Sequence, residues 1–250
     1  MKDNTLKKQV IAIGSGGTDA KNPSLELYIL AQSPVKNPRV LFLGTASGDN
    51  DGYIKYFHQY FDRFPCTTDH LSLFNPPTKD FADMICSSNV VFVGGGHSGN
   101  MLTLWKHWGI DKHLRDAYDN GTILSGGSAG SVCWFDECIT DSLPGRLSVM
   151  PALGILPFSN SPHFSSKKRQ EVYAENIATG EIKDGYAIDD DAALHFVDGE
   201  VCRSIAIKYG RKSYKMERID GKCVKTTIPT RYLNNAAMEE LVWNSEVFAE

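Results

Sequence analysis

The chain has 250 residues, of which 42% are hydrophobic and 22% are charged, and these values are ordinary for a globular protein with a sizeable core. A net charge of −4 gives no sign of the strongly basic surface that is typical of nucleic-acid-binding proteins, so no nucleic-acid partner is expected. The length favours one large α/β domain over residues 1–250 rather than two small domains.

The cysteines and the N-terminal region bear on the cellular compartment. The six cysteines form no Cys-x-x-Cys pair and no dense cluster, which is typical of reduced thiols in a cytoplasmic protein. The apolar run Val10–Ile13 is too short for the hydrophobic region of a signal peptide, and no later stretch is long enough to cross a membrane. We therefore expect a cytoplasmic protein without a membrane partner.

Short apolar runs alternate with amphipathic segments in the first half of the chain. The runs that predict strands are Gln9–Ile13, Arg39–Gly44, Asp69–Phe74, Asn89–Gly94 and Thr122–Ser125. The segments that predict helices are Ser24–Gln32, Tyr53–Phe64, Phe81–Cys86 and a stretch from Ser98 to about Asn120 that has room for two helices. Continuous apolar runs such as VVFV are typical of a parallel sheet covered on both faces. The alternation predicts a doubly wound, mostly parallel sheet with helices on both faces.

The pattern changes after residue 128. A helix is predicted over Ser166–Thr179, and strands are predicted over Gly185–Ile188, Ala192–Val197, Ser204–Lys208 and Ser213–Ile219. The last two of these strands are close enough along the chain to form a hairpin. Residues 240–250 are expected to form a terminal helix or an irregular tail.

The segment GGSAG contains Ser128 at the point where a predicted strand gives way to a helix. It fits the G-x-S-x-G nucleophile elbow, in which a strained turn lifts a serine hydroxyl above the sheet and glycines let strand and helix pass closely. The helix start behind the serine supplies backbone N–H groups for a developing oxyanion. This context favours a nucleophilic Ser128 over a glycine-rich turn with an idle serine.

A nucleophilic serine needs a base, and the chain offers seven histidines. His163 follows Pro162 on a loop just before a predicted helix, a place where functional groups are common. His195 lies inside a strand-like run, so a packed or edge position is expected for it. His163 is therefore the candidate base.

Two aspartates are candidates for the acid that orients this base. Asp141 precedes His163 in the segment CITDSLPG, and Asp190 is the middle residue of three aspartates after a predicted strand. Asp190 is favoured because a doubly wound sheet gathers its functional groups at strand ends. Asp141 stays open as the alternative.

A second glycine cluster, Gly94–Gly96, follows the predicted strand Asn89–Gly94 and can bring backbone N–H groups close to a substrate. It is not a P-loop, because His97 follows where a lysine is required. The segment GSGGTDA likewise departs from G-x-G-x-x-G, with Asp19 in place of the last glycine. With no zinc-binding motif either, neither a cofactor nor a metal is expected.

Three motifs together resemble the serine peptidase family of aspartyl dipeptidase (peptidase E) and cyanophycinase. They are FVGGGHSGNML against F-x-x-G-G-N-x-x-x-L, GGSAG against G-x-S-A-G, and SPHF against P-H-F/Y, within a resemblance that runs from about Val10 to Val197. The resemblance implies a class I glutamine amidotransferase-like fold. His97 departs from the asparagine that the family often has, and the stretch after His163 differs from that of the aspartyl dipeptidases.

The resemblance also implies the roles of the site residues. Ser128 would be the nucleophile and His163 the base of a Ser-His-Asp acyl-enzyme mechanism, and the two positions used for the acid match Asp141 and Asp190. Oxyanion donors would be the Ala129 N–H and the amides of Gly95–Gly96. The alternatives left open are an α/β-hydrolase-type esterase and a non-catalytic binding protein of the same fold. The oligomeric state is not decided, and a homodimer stays open.

The expected substrate is a short peptide with a free N-terminus, and the resemblance suggests an acidic first residue. Lys167, Lys168 and Arg169 fall in the first turn of a predicted helix, where cations oppose the helix dipole. A substrate carboxylate would offset that cost. Arg169 is the candidate for binding it, because a guanidinium holds a carboxylate through two parallel hydrogen bonds.

Overall fold

The computed structural model describes residues 6–15, 22–77, 80–143 and 146–233, which form two β-sheets and the helices around them. The strands within these ranges are β1 (Gln9–Ile13), β2 (Arg39–Leu43), β3 (Thr67–Leu71), β4 (Val90–Val93), β5 (Ile123–Gly127), β6 (Phe135–Thr140), β7 (Ser148–Pro151), β8 (Leu156–Ser161), β9 (Gly185–Ile188), β10 (Ala192–Val197), β11 (Glu200–Ala206), β12 (Ser213–Ile219), β13 (Lys222–Ile228) and β14 (Thr230–Tyr232). The α-helices are α1 (Ser24–Ala31), α2 (Asp51–Phe61), α3 (Phe81–Cys86), α4 (Ser98–Trp108), α5 (Ile110–Asp119), α6 (Ala129–Val132) and α7 (Lys167–Thr179).

The larger sheet has the strand order β14-β11-β10-β1-β5-β4-β2-β3. Its strands β1, β5, β4, β2 and β3 are parallel to one another. Successive side chains of β1 lie in the hydrophobic cores on opposite faces of the sheet. Val10 packs with α3, α4 and α5 on one face, and Ile11 packs with α1 and α2 on the other. Because both faces are covered, β1, β2 and β4 are almost entirely apolar, whereas the edge strand β3 is mostly polar. The predicted doubly wound α/β fold is confirmed.

The smaller sheet has the order β13-β12-β9-β8-β6-β7, with α7 packed against it. The predicted hairpin between Ser204–Lys208 and Ser213–Ile219 is wrong. The strand that contains Ser204 pairs with β10 and β14 in the larger sheet, whereas β12 pairs with β9 and β13 in the smaller one. Sequence patterns did not predict the three strands between residues 135 and 161, because their apolar runs are short and interrupted by Asp136, Glu137 and Pro157.

Several boundaries differ from the pattern-based ones for local reasons. The stretch from Ser98 divides into α4 and α5 at Gly109, whose φ of 73° ends the first helix. Strand β3 ends at Leu71, not at Phe74. The amides of Leu73 and Phe74 bond to the carboxylate of Asp49 at 2.6 and 3.0 Å, so they do not continue the sheet. The predicted terminal element over residues 240–250 lies outside the described residues.

The connection between the two sheets positions the site. Strand β9 ends at Ile188 in the smaller sheet, and β10 begins at Ala192 in the larger one. The residues between them are Asp189, Asp190 and Asp191. The aspartate run therefore crosses from one sheet to the other, beside the ends of β1 and β5.

His195 on β10 is a packed core residue, as its strand-like context predicted. The side chain is 2% exposed and bonds through Nδ1 to the Tyr28 hydroxyl at 2.8 Å and through Nε2 to Oε1 of Gln9 at 3.0 Å. Because Gln9 Oε1 can only accept, Nε2–H donates and Nδ1 accepts from Tyr28. Burial, together with the nearby Arg203 charge, lowers the pKa of His195 from 6.5 to about 4.

This depressed pKa predicts a specific loss of stability in acid. Below pH 6.5 the unfolded chain binds a proton at His195, whereas the folded protein does not do so until about pH 4. The free energy of unfolding therefore decreases as the pH falls through this window, and the decrease between pH 7 and pH 4.5 is roughly 2–3 kcal/mol. Urea unfolding of wild type and His195→Gln over this range should show that extra slope in wild type alone. Parallel pH dependences in the two proteins would contradict it.

Candidate active site

Ser128 lies on a strained turn between β5 and α6. Its φ is 55° and its ψ is −111°, a conformation that non-glycine residues rarely adopt and that typically occurs at functional sites. A Cβ on Gly126 would lie 2.4 Å from the Val93 carbonyl oxygen, and one on Gly130 would lie 2.1 Å from the same atom. The small residues around Ser128 are thus required by the close approach of β4, and the chain has the geometry of a nucleophile elbow.

His163 is held by the ends of the neighbouring strands. It follows β8, has a φ of 53°, and its amide donates to the Gly14 carbonyl at 3.0 Å. The next residue, Phe164, is 1% exposed, and its amide donates to the Ile188 carbonyl at 3.0 Å. A Cβ on Gly14 would lie 2.0 Å from the Asp189 carbonyl oxygen, so only glycine fits where these loops meet.

The structure joins Ser128, His163 and Asp190 in one chain of hydrogen bonds, which we call the triad. Nε2 of His163 lies 2.9 Å from Ser128 Oγ, and Nδ1 lies 2.6 Å from Asp190 Oδ1. The side chains of His163 and Asp190 are each 33% exposed, so the imidazole is open to a ligand while it stays bonded on both sides. With Nδ1 protonated and bonded to the carboxylate, Nε2 is free to accept the serine proton.

Each of the three consecutive aspartates has its own partners. Asp189 is 6% exposed and accepts from the Lys212 amide and the Tyr214 hydroxyl at 3.1 and 3.4 Å. Burial raises the pKa of the Asp189 carboxyl, and the Lys212 amide opposes this rise. Asp190 faces the imidazole, and Asp191 adopts a φ of 62°. Only the middle carboxylate is therefore directed at His163.

Asp141 and Arg169 pair with each other instead. Oδ2 of Asp141 lies 3.3 Å from Nη2 of Arg169, and Nη1 of the arginine donates to the Ile139 carbonyl at 3.1 Å. Arg169 is 9% exposed, whereas the Asp141 side chain is 77% exposed. The cation that the sequence left without a partner at the start of α7 is thus balanced within the protein, and Asp141 makes this contact in place of one with His163.

The predicted oxyanion donors lie at the same edge of the sheet. Ala129 is the first residue of α6, a position whose amide has no acceptor within the helix. Gly95 and Gly96 follow β4, which pairs with β5 through Val93 and Gly126. Gly96 has a φ of 143°, and a Cβ there would lie 2.2 Å from the Ala46 carbonyl oxygen. The backbone conformation and the close approach to Ala46 therefore require glycine at position 96. The role of these amides toward a substrate stays a prediction.

Two cavities are lined by other residues that the sequence singled out. One of about 410 Å³ is lined by Asp141, Arg146, Ser166, Lys168, Arg169 and two leucines, and it adjoins the loop that carries His163. The other, of about 1050 Å³, lies between α4, α5 and β7. Its lining includes His97 and Ser142 but no member of the triad. The lining of the smaller cavity likewise includes no member of the triad, but it contains Ser166, three residues after His163 along the chain.

Sequence reasoning missed two contributors. Ser165 accepts from the Asp190 amide at 3.1 Å, and Arg211 donates to the same Ser165 hydroxyl at 2.7 Å. Neither lies in a recognisable motif, since the contact depends on loops far apart in sequence. The glycine-rich segment GSGGTDA is the sequence signal for the close approach at Gly14.

Two further properties hold for residues 6–15, 22–77, 80–143 and 146–233. No group of three His, Cys, Asp or Glu side chains there is arranged to hold a metal ion. None of the helices in these ranges has the length and apolar composition that a membrane span requires.

Known peptidases are similar to this chain in sequence. The family model "Peptidase family S51" matches residues 10–203. The uncharacterized peptidase YgaJ of Bacillus subtilis (strain 168) is 41% identical over 229 residues, which cover 90% of this chain and 99% of that protein. Peptidase E of Haemophilus influenzae is 32% identical over 149 residues, which cover 54% of this chain and 65% of that protein.

Two solved structures share the fold. A peptidase from an acI-B1 Actinobacterium superposes with a TM-score of 0.66 at 15% identity, covering 89% of this chain and 94% of that one. A peptidase E candidate from Listeria monocytogenes EGD-e superposes with a TM-score of 0.61 at 17% identity, covering 81% of this chain and 100% of that one. The family resemblance that the three motifs predicted is confirmed by the match over residues 10–203 and by the relative at 41% identity. The chain belongs to peptidase family S51, and it is a peptidase.

Proposed function

We propose that this peptidase is a serine-type exopeptidase that hydrolyses short peptides through an acyl-enzyme on Ser128. The observation that carries the proposal is the triad, with 2.9 Å between Ser128 Oγ and His163 Nε2 and 2.6 Å between His163 Nδ1 and Asp190 Oδ1. These distances lie within the hydrogen-bond reach that a nucleophile, its base and the orienting acid require.

The chemistry follows from this order of atoms. Nε2 of His163 takes the proton of Ser128 as Oγ attacks the peptide carbonyl, and the resulting imidazolium then gives this proton to the leaving amine. In the second half, Nε2 of His163 takes a proton from the water that attacks the acyl-enzyme. The imidazolium then gives this proton to Ser128 Oγ as the acyl–oxygen bond breaks, which releases the acid and restores the serine hydroxyl. Asp190 keeps the proton on Nδ1 and stabilises the imidazolium.

The negative charge on the carbonyl oxygen needs donors close to Ser128. The amide of Ala129 directly follows the nucleophile, and the amides of Gly95 and Gly96 belong to the adjacent strand end. Preorganised backbone donors of this kind stabilise the tetrahedral intermediate without reorganisation. We assign the oxyanion hole to these three residues.

The substrate we propose is a dipeptide or similar short peptide with an acidic first residue. The cavity of about 410 Å³ that includes Ser166, three residues after His163, is lined by Arg146, Lys168 and Arg169, against one acid, Asp141. This excess of positive charge favours a carboxylate. Because Asp141 already pairs with Arg169, a substrate carboxylate would share or replace that contact, and Arg146 is the second residue that can bind it.

A dipeptide panel tests this preference. We expect wild type to cleave Asp-Xaa with a higher kcat/KM than Glu-Xaa, Asn-Xaa or Leu-Xaa. Arg169→Ala or Arg146→Ala should reduce the preference for Asp-Xaa over Leu-Xaa by about 10- to 100-fold, the value of a hydrogen bond between charged groups. Lys167→Ala is the matched control, because Lys167 is 90% exposed and pairs with Glu171 on its own helix.

Two outcomes would contradict this proposal, in its specificity or in the residues assigned to it, without affecting the triad. Equal or better cleavage of Leu-Xaa by wild type would reject acidic recognition. An unchanged preference in both arginine variants would keep the preference but remove its assignment to this cavity.

A further inference from the structure

The loop between β11 and β12 contacts residues that lie next to His163 and Asp190 along the chain. Gly210 has a φ of 85°, and the Arg211 amide donates to the Lys208 carbonyl at 3.3 Å, so the chain turns back on itself there. The Lys212 carbonyl accepts from the Asp189 amide at 3.0 Å. This turn therefore holds Arg211 against the aspartate run.

The Arg211 guanidinium bridges the two loops that carry the base and the acid. Nη1 donates to Ser165 Oγ at 2.7 Å, two residues after His163. Nε lies 3.9 Å from Asp191 Oδ2, one residue after Asp190. Ser165 Oγ also accepts from the Asp190 amide at 3.1 Å, so one hydroxyl links the arginine to the backbone of the acid.

We propose that Arg211 is a positioning residue that fixes the geometry between His163 and Asp190. The inference rests on the proposed Ser-His-Asp function. Arg211 does not act on the substrate: it acts through Ser165 and Asp191, which flank the two groups that must meet.

Backbone strain and charge repulsion both explain why the contacts of Arg211 with Ser165 and Asp191 are needed. His163 and Asp191 have φ values of 53° and 62°, conformations that persist only where surrounding contacts hold them. The run of three aspartates also places like charges side by side. A guanidinium paired with Asp191 offsets this repulsion, and it leaves Asp190 to bond to His163.

The main test compares Arg211→Ala, Arg211→Lys and the control Lys208→Ala, an exposed residue of the same loop. Arg211→Ala should lower kcat by about 10- to 100-fold, the effect of a small misplacement of reacting groups, and change KM by less than about 3-fold. Arg211→Lys should recover part of kcat, and Lys208→Ala should resemble wild type. Loss through KM alone, or unchanged kcat in a folded Arg211→Ala, would overturn the inference.

A double-mutant cycle shows whether Arg211 acts through Ser165. If it does, adding Arg211→Ala to Ser165→Ala should cost far less in kcat than Arg211→Ala costs in wild type, because both changes break the same connection. Additive losses would overturn the assignment to Ser165. Thermal unfolding of each variant separates these effects from a general loss of folded protein.

A spectroscopic readout separates failure of this inference from failure of the triad. The Nδ1 proton of His163, held between imidazole and carboxylate, should give a downfield proton resonance that Asp190→Asn abolishes. If Asp190→Asn leaves that resonance intact, the proposed triad is wrong and this inference falls with it. If Asp190→Asn abolishes it but Arg211→Ala neither shifts nor broadens it, the triad stands and Arg211 is not a positioning residue.

Discussion

Replacing Ser128 with alanine should lower kcat/KM for any cleaved peptide by about 10⁴-fold or more and leave the protein folded. Without the hydroxyl there is no nucleophile, and His163 has nothing to deprotonate. The fold should tolerate the change because it removes one oxygen from a half-buried side chain and adds no volume at the crowded turn.

Ser131, three residues further along, is the matched control. It lies in α6, is fully buried, and its Oγ accepts from Asn160 Nδ2 at 2.9 Å. Ser131→Ala should destabilise the protein by about 1–3 kcal/mol, because it leaves a buried amide donor unpaired, while the folded fraction keeps its activity. The two variants should therefore differ: Ser128→Ala loses turnover, and Ser131→Ala loses stability.

Covalent labelling gives a second measurement on the same residue. A serine-directed fluorophosphonate should modify wild type and Ser131→Ala at Ser128, and should not modify Ser128→Ala. Near-wild-type turnover in folded Ser128→Ala would rule out the serine mechanism. Absence of labelling and of hydrolysis in wild type would favour a non-catalytic role for the site.

The nucleophile and the base could be predicted because their signals are local. The turn at Ser128 needs small residues within two positions on either side, and the segment GGSAG displays them directly. His163 is similarly marked by the proline before it and the helix after it. The larger sheet was also predictable, since its central strands are buried on both faces and leave continuous apolar runs.

The remaining contacts depend on tertiary structure. The choice between Asp141 and Asp190 depends on where a connection crosses from the smaller sheet to the larger one, and the sequence predicted only one sheet. The sequence predicts a substrate carboxylate that offsets the cations at the start of α7, whereas in the structure Arg169 pairs with Asp141 on a loop after β6. Arg211 donates to Ser165, which lies 46 residues earlier in the chain, and no spacing rule indicates such a contact.

Asp190→Asn should lower kcat by about 10³- to 10⁴-fold, whereas Asp141→Asn should cost less than about 10-fold. An asparagine at 190 can donate its amide N–H to Nδ1, which would move the imidazole proton to Nε2 and leave no acceptor for the Ser128 hydroxyl. It also removes the charge that stabilises the imidazolium. Asp141 is 77% exposed and contacts Arg169, so its neutralisation weakens an ion pair that is remote from this proton transfer.

The comparison of these two variants decides which aspartate completes the triad. Both exchanges replace an oxygen by a nitrogen at almost constant volume, so a difference in kcat reports on charge and proton position rather than on packing. Arg169→Ala combined with Asp141→Asn shows whether any small loss at Asp141 comes from its ion pair, since the two changes should then be non-additive. If Asp141→Asn alone lost activity by orders of magnitude while Asp190→Asn kept it, the hydrogen bond of 2.6 Å between Asp190 and His163 would be structural and the acid would be Asp141.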